Sequence, residues 1–253
     1  SGAGGSMQPD HEVVIVGAGF GGMGGAIEFR RQGIESIAIL EREDDLGGTW
    51  HVNHYPGLAV DIASVTYSYS FEPNPYWSRL FAPGAELKRY AEHVAEKYDL
   101  KRHMEFSTSV ERAEWDERTH LWTVYTADGS SRTCRYFVTA TGFLSQPHIP
   151  DFPGLDSFAG KVLHTADWED GFDFTGRRVA VIGTGATAVQ LIPEAARDAA
   201  ALTVFQRTPI WVVPKVDFPI PAALQKIFAT APATQRVARL VNTSLLAALI
   251  AVG

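Results

Sequence analysis

Val13 to Gly22, VVIVGAGFGG, decides how this chain folds. Four consecutive apolar residues without polar alternation predict a parallel strand buried on both faces. The glycines that follow, Gly17-x-Gly19-x-x-Gly22, predict a tight turn into a helix, and each has its own reason. Gly17 permits the turn, Gly19 lets the backbone approach a pyrophosphate, and Gly22 allows the helix to pack closely on the strand. The start of the helix offers N–H groups and the positive end of a dipole to a phosphate. Phe20 and Gly21 lie inside this turn and count as candidate ligand contacts with it. The helix is expected to reach about Gln32. A second apolar strand, Ser36 to Leu40, then ends in Glu41, whose carboxylate is placed to accept hydrogen bonds from ribose hydroxyls.

The same pattern returns later in the chain. Arg178 to Ile182 reads as a second buried strand and runs into Gly183-x-Gly185-x-x-Ala188, a helix, and a strand from Leu202 to Gln206. Thr184, Ala186 and Thr187 complete this turn, and Gln190 follows it on the helix; all are candidate cofactor contacts. Where the first unit ends in Glu41, this one ends in Arg207-Thr208. An acid would repel a 2′-phosphate, whereas an arginine holds it with a charge-assisted fork, so the expected ligand of the second unit is NADP(H). Neither turn is a P-loop, because no Lys-Ser/Thr follows the glycines.

Between the two units, Leu46-Gly47-Gly48-Thr49-Trp50 leads through Tyr55-Pro56-Gly57 to Asp61. Glycine lets backbone lie against a flat ring and the aromatics give that ring something to pack on, so Gly48, Thr49, Trp50 and Asp61 are candidate cofactor contacts. Tyr67, in the aromatic stretch 65–80, and Val110 are two more. His51 and His54 have metal-like spacing only on a helix, which the neighbouring Gly and Pro disfavour, so no metal is expected. Glu86 to Tyr98 predicts an amphipathic helix with Leu87, Tyr90, Ala91, Val94, Ala95 and Tyr98 on its apolar face. Met104 to Thr139 predicts three strands, with Asp128-Gly129 as a hairpin turn. The fold class is α/β: two Rossmann-like dinucleotide-binding domains, with a small antiparallel β-meander inserted in the first. Expected boundaries are a first domain over 7–146, a linker over 147–157 marked by Pro147, Pro150 and Pro153, a second domain over 158–213, and the start of a helical region over 214–253.

Composition narrows the classes. With 253 residues, 45% of them hydrophobic, the chain can bury real cores. A net charge of -7 disfavours nucleic acid as a partner. A single cysteine, Cys134, leaves no disulfide framework and no CxxC redox pair, and fits a reducing cytoplasm. The most apolar run, Leu245 to Val252, falls well short of the ~20 residues of a membrane span, so the chain reads as soluble. SGAGGS, residues 1–6, reads as an expression scar.

Two dinucleotide units without a cysteine pair suggest a flavin reduced by a nicotinamide nucleotide and then reacting with oxygen. Phe158-x-Gly160-x-x-x-His164-x-x-x-Trp168 resembles the fingerprint of type I Baeyer–Villiger monooxygenases, and GGTWHVNHYPGLAVD at 47–61 resembles a second motif of that family. Together with both glycine turns in order, the resemblance covers nearly the whole chain. It implies FAD at 17–22, NADPH at 183–188, O2, and a small ketone or sulfide substrate, with an ester, lactone or sulfoxide as product. It also implies that Asp61 is catalytic, pairing with an active-site arginine expected beyond residue 253, and that the chain corresponds to the N-terminal half of a longer protein. Phe158, Gly160, His164 and Trp168 are expected to help couple the two domains, with Trp168 packing rather than taking part in catalysis. Glu169 stands where the family usually has Pro or Asp, and Leu58, Ala59 and Val60 are apolar where it often carries an arginine. A flavin-containing or N-hydroxylating monooxygenase acting on nitrogen or sulfur is the nearest alternative, although those usually lack the tryptophan. A non-catalytic nucleotide-binding fragment is the other.

Overall fold

The computed structural model describes Met7 to Val252; the reading of residues 1–6 lies outside the described residues. The chain forms two compact units. One comprises the chain up to Val52 together with Lys88–His148, and the other comprises Asn53–Leu87 together with the chain from Ile149 onward.

The first unit is built on one six-stranded sheet. Its strands are β1 (His11–Val16), β2 (Ile37–Leu40), β3 (Met104–Glu105), β4 (Val110–Asp116), β5 (Leu121–Thr126) and β6 (Ser131–Thr139), in the order β3-β2-β1-β6-β5-β4. β1 is central and pairs in parallel with β2 and with β6. Val13, Val14 and Ile15 are wholly buried, as the unbroken apolar run requires. Helix α1 (Phe20–Arg31) buries Met23, Ala26 and Ile27. Val14, Ala38, Leu40, Val124 and Cys134 form an apolar cluster, with Val110, Trp122 and Phe137 packed against it. Burial pushes the Cys134 thiol up to about 11, so it stays protonated and behaves as a small core residue. The predicted meander is β4-β5-β6, but it is continuous with the parallel sheet. β6 is nine residues long, enough to pair antiparallel with β5 and parallel with β1.

A one-turn helix, α2 (Thr49–Val52), follows the Gly47-Gly48 pair, a local departure from the loop expected there. Helix α3 (Gly84–Lys97) buries Leu87, Tyr90, Ala91, Val94 and Ala95 of the face read from the sequence, whereas Tyr98, read on the same face, follows the end of the helix and is only half-buried. Tyr90 meets Phe20 edge-on, with centroids 5.9 Å apart.

In the second unit, β7 (Arg178–Ile182), α4 (Ala186–Asp198) and β8 (Ala201–Phe205) make a strand–helix–strand motif with parallel register Arg178↔Ala201 to Ile182↔Phe205. β7 is not buried on both faces as expected. Its residues alternate between exposed and half-buried, because its sheet has two strands. Leu191 and Ala195 of α4 pack with Tyr55, Trp168 and Phe174. Helices α5 (Ala222–Thr230) and α6 (Pro232–Val252) complete the unit. Phe228 and Ala238 pack with Ala63, Val65 and Leu80, and Thr66 donates to Asn242 at 2.9 Å. The segment Asn53–Leu87, read from sequence as part of a continuous 7–146 domain, therefore packs with the second unit: Tyr55 joins the α4 cluster and Ala63 and Val65 join the α5–α6 cluster.

Two glycines of the first turn are dictated by backbone contact. Gly17 has φ +108°, and a Cβ there would lie 2.4 Å from the Ala140 carbonyl oxygen; a Cβ on Gly22 would lie 1.8 Å from the carbonyl oxygen of Gly17. Gly22→Ala should therefore destabilise the protein by on the order of 3 kcal/mol. Gly25→Ala, whose nearest neighbour would be a flexible Ile15 methyl at 3.8 Å, should be neutral or stabilising by up to about 1 kcal/mol through helix propensity. Urea unfolding of the two variants checks the contrast.

Candidate functional site

The first glycine turn lies where β1 ends and α1 begins. Gly19 is the N-cap of α1, no side chain caps the helix, and no acid occupies its first turn, so the positive end of the dipole is not neutralised locally. Glu41, at the end of β2, turns its buried carboxylate into the loop. One oxygen accepts the Ala18 N–H at 2.7 Å and the other accepts the Glu43 N–H at 2.9 Å. These bonds set the direction of the carboxylate and leave it lone pairs for further donors.

Gly47-Gly48 comes back against this turn. The Gly47 N–H donates to Ala18 O at 3.0 Å. A Cβ on Gly48 would sit 3.1 Å from the Cα of Gly19, so the two backbones run in contact. Both glycines have positive φ, +116° and +56°. Lys88 on α3 anchors the approach, donating to Asp45 at 2.7 Å and to the Leu46 carbonyl at 2.8 Å. This anchor was not read from the sequence. A lysine on the polar face of a helix has the pattern of a solvated residue, and only the fold brings it to the loop. The first unit thus gathers Gly17, Gly19, Phe20, Gly21, Gly22, Glu41, Gly48, Thr49 and Trp50 around one turn. Val110 instead packs in the apolar cluster on the sheet, and Asp61 and Tyr67 belong to the second unit.

The second glycine turn is built differently. Gly183 has φ +106°, and its N–H donates to Phe205 O at 2.9 Å. Gly185 is the N-cap of α4, again with no side-chain cap and no acid in the first turn. A Cβ at Gly183 or Gly185 would have no neighbour within 4 Å. Crowding therefore does not demand glycine here; backbone conformation does at Gly183. Thr184 accepts from the Gln206 side chain at 3.1 Å. Arg207 and Thr208 are exposed just past the end of β8.

One residue of α4 connects this turn to Asp61. The Gln190 amide nitrogen donates to Asp61 Oδ1 and to Ala59 O, each at 2.9 Å, while its oxygen accepts from the Tyr55 phenol at 2.9 Å. The Thr187 side chain lies near enough to favour the ionised phenol, against the larger effect of burial. Gly57, with φ +84°, brings the Tyr-Pro-Gly turn against the same helix, where a Cβ would be 2.4 Å from Gln190 O. Burial raises the Tyr55 phenol above its ordinary value, and the negative charge of Asp61 adds to the rise.

The Phe158–Trp168 segment is local structure leading into a core residue. The Phe158 ring lies over Gly160, where a Cβ would meet it at 2.5 Å. His164 Nδ1 accepts the Ala166 N–H at 3.1 Å, and its carbonyl accepts the Asp167 N–H at 3.0 Å. Lys161 pairs with Glu169. Trp168 is buried and packs edge-on against Phe172, 5.9 Å between centroids.

His51 and His54 do not converge. His51 pairs with Asp44 and His54 with Asp170, each at 2.7 Å. Among the described residues no three His, Cys, Asp or Glu side chains are grouped as metal ligands. No helix among the described residues is long and apolar enough to cross a membrane.

A family model described as flavin-binding monooxygenase-like matches residues 10–245. The chain belongs to this family. It is 45% identical over 227 residues to a Baeyer–Villiger monooxygenase of Streptomyces coelicolor, covering 90% of this chain and 44% of that protein. It is 43% identical over 228 residues to a Baeyer–Villiger monooxygenase of Pseudomonas aeruginosa, covering 90% and 43%. Among solved structures, an oxidized steroid monooxygenase bound to NADP superposes with a TM-score of 0.83 at 41% identity, over 88% of this chain and 44% of that one. A complex of OTEMO with FAD and NADP gives 0.85 at 38% identity, over 90% and 44%. The chain thus spans less than half the length of these relatives, and within that span its two Rossmann-like units follow the family fold.

The raised Tyr55 pKa carries a sign. The folded state keeps a proton that the unfolded chain sheds, so this contribution is fully present below about pH 10 and is lost as pH rises through the higher folded value. Tyr55→Phe should therefore be less stable than the parent below about pH 10 by roughly 1 kcal/mol, and the gap should close at higher pH. Thermal melts from about 2 units below to about 1 unit above the ordinary tyrosine value measure it.

Proposed function

We propose that the chain holds FAD at the first glycine turn and NADP(H) at the second, as part of an NADPH-consuming flavoprotein monooxygenase. Its reaction inserts one atom of O2 next to a ketone carbonyl to give an ester or lactone, and sulfides are oxygenated by the same enzyme. The observation that carries the cofactor assignment is the pair of uncapped helix starts behind glycine turns, one ending in Glu41 and the other in Arg207. The Baeyer–Villiger names of the relatives support the reaction class.

The residues fit these groups. At the first turn, Gly19 and Gly48 present bare backbone, tightly packed at Gly48, α1 directs its dipole to a pyrophosphate, and Glu41 is oriented for ribose hydroxyls. Phe20, Gly21, Thr49 and Trp50 line the same turn. At the second, Gly183 to Ala188 receives a pyrophosphate on α4, and Arg207 with Thr208 receives a 2′-phosphate. When bound, the two cofactors supply hydride transfer and oxygen activation, while the protein supplies orientation, charge and exclusion of water. Asp61 is the anion that would hold a cationic partner, and Gln190 keeps its carboxylate in place. Tyr67 and Val110 remain proposed cofactor contacts, and Phe158, Gly160, His164 and Trp168 a proposed coupling element. A completing C-terminal half of the same protein and a cytoplasmic setting belong to this reading. The protonated, buried Cys134 thiol is compatible with that setting.

Incubation with FAD followed by gel filtration should leave the protein yellow, and NADP+ should bind more tightly than NAD+. Arg207→Gln should weaken NADP+ by roughly 10–100-fold, the value of a charged hydrogen bond, and leave NAD+ within about 2-fold. A chain that takes up no FAD and does not distinguish the two nucleotides overturns the proposal. In the longer protein, product analysis with a ketone and an amine separates ester formation from nitrogen oxidation.

A further inference from the structure

We propose that Tyr55 is a positioning residue: it anchors the Gln190 amide, and through that amide it ties the carboxylate of Asp61 to the start of α4. The Gln190 side chain is used at every point. Its oxygen accepts the hydrogen bond of the Tyr55 hydroxyl, and its amide nitrogen donates to Ala59 O and Asp61 Oδ1, all at 2.9 Å. The reversed amide would set an oxygen against a carbonyl and a carboxylate, so only one orientation satisfies the three partners. Tyr55 holds that orientation from behind. Its ring is fixed in the apolar cluster with Trp168, Phe174, Leu191 and Ala195, so the hydroxyl has a set position. Gly57 brings the rest of the turn into contact with the Gln190 carbonyl, which keeps the phenol in register with the helix.

The consequence is a coupling between two proposed sites. Gln190 lies two positions beyond Ala188, the last residue of the second glycine turn, and Thr187 within that turn is near enough to the Tyr55 phenol to act on its titration. A nucleotide that orders the start of α4 therefore orders the group that holds Asp61, and by linkage the reverse also holds. This coupling rests on the nucleotide reading, whereas the anchoring itself does not.

The test separates the two. In 15N-labelled protein the Gln190 side-chain amide, identified by its loss in Gln190→Ala, should exchange with solvent at least about 10-fold more slowly than exposed glutamines, since both hydrogens are bonded. Tyr55→Phe keeps the ring in the cluster and should abolish that protection. Equal exchange in the parent and Y55F, or no protection in the parent, overturns the positioning role. NADP+ titrations of the parent, Y55F, Q190A and the double variant form a cycle. Y55F should weaken NADP+ by about 5–10-fold, as expected for one lost neutral hydrogen bond, and should add nothing in the Q190A background. An equal loss in both backgrounds overturns the coupling through Gln190. A parent that binds no NADP+ overturns the nucleotide reading and the coupling, while the exchange result still decides the anchoring. If Y55F fails to fold, Asp61→Ala leaves the ring untouched, removes the acceptor of one Gln190 N–H and should speed the exchange of that hydrogen; no change overturns the network.

Discussion

The start of α1 is pressed against the backbone it has just left. With the Gly17 carbonyl under Gly22 and the Ala140 carbonyl under Gly17, the strand–turn–helix passage has no room for a β-carbon at either position. That contact draws α1 down onto β1. It also sets the loop between Ala140 and Gly48, so that the end of β6 and the Gly47-Gly48 return both abut the same turn. Glu41 is then held by the Ala18 N–H rather than by solvent, which gives a buried carboxylate a defined direction. The remainder of the first site consists of residues carried to this turn by elements that the close packing positions.

The second unit reaches a similar motif by another route. Its turn is uncrowded, its strands are half exposed, and its support comes from one side, where Tyr55, Trp168 and Phe174 pack on Leu191 and Ala195. Here the order of the site comes from side chains rather than from backbone contact. Gln190 illustrates the difference: a polar residue on a nucleotide helix spends its whole hydrogen-bonding capacity on Tyr55, Ala59 and Asp61. A polar network of this kind is valuable only when every member is satisfied, because a half-satisfied one leaves a desolvated group unpaired.

Some features could be read from residues one at a time. The apolar run before Gly17, the spacing of both glycine turns, the acid after one strand pair and the arginine after the other, and the apolar face of α3 all depend on neighbours close in sequence. Their placement in the structure follows that reading. Val13 to Ile15 are wholly buried and α3 buries the expected face. The exposed alternation of β7 was not, because a strand's burial depends on how many partners its sheet has and not on its own composition.

By itself, the sequence determined the two strand–glycine–helix units, their opposite charge at the strand ends, and the absence of a paired cysteine chemistry, since each is set by local sterics, local charge or composition. Only the tertiary structure decided that Asn53–Leu87 packs with the second unit, that Lys88 anchors the Gly47-Gly48 loop, and that Tyr55 and Gln190 hold Asp61. These pairings join residues 42 to 135 positions apart. Over such separations no periodicity or spacing in the chain marks the partner; the choice is made by which apolar surfaces are buried together, and the polar bonds form where that burial brings donors and acceptors into reach.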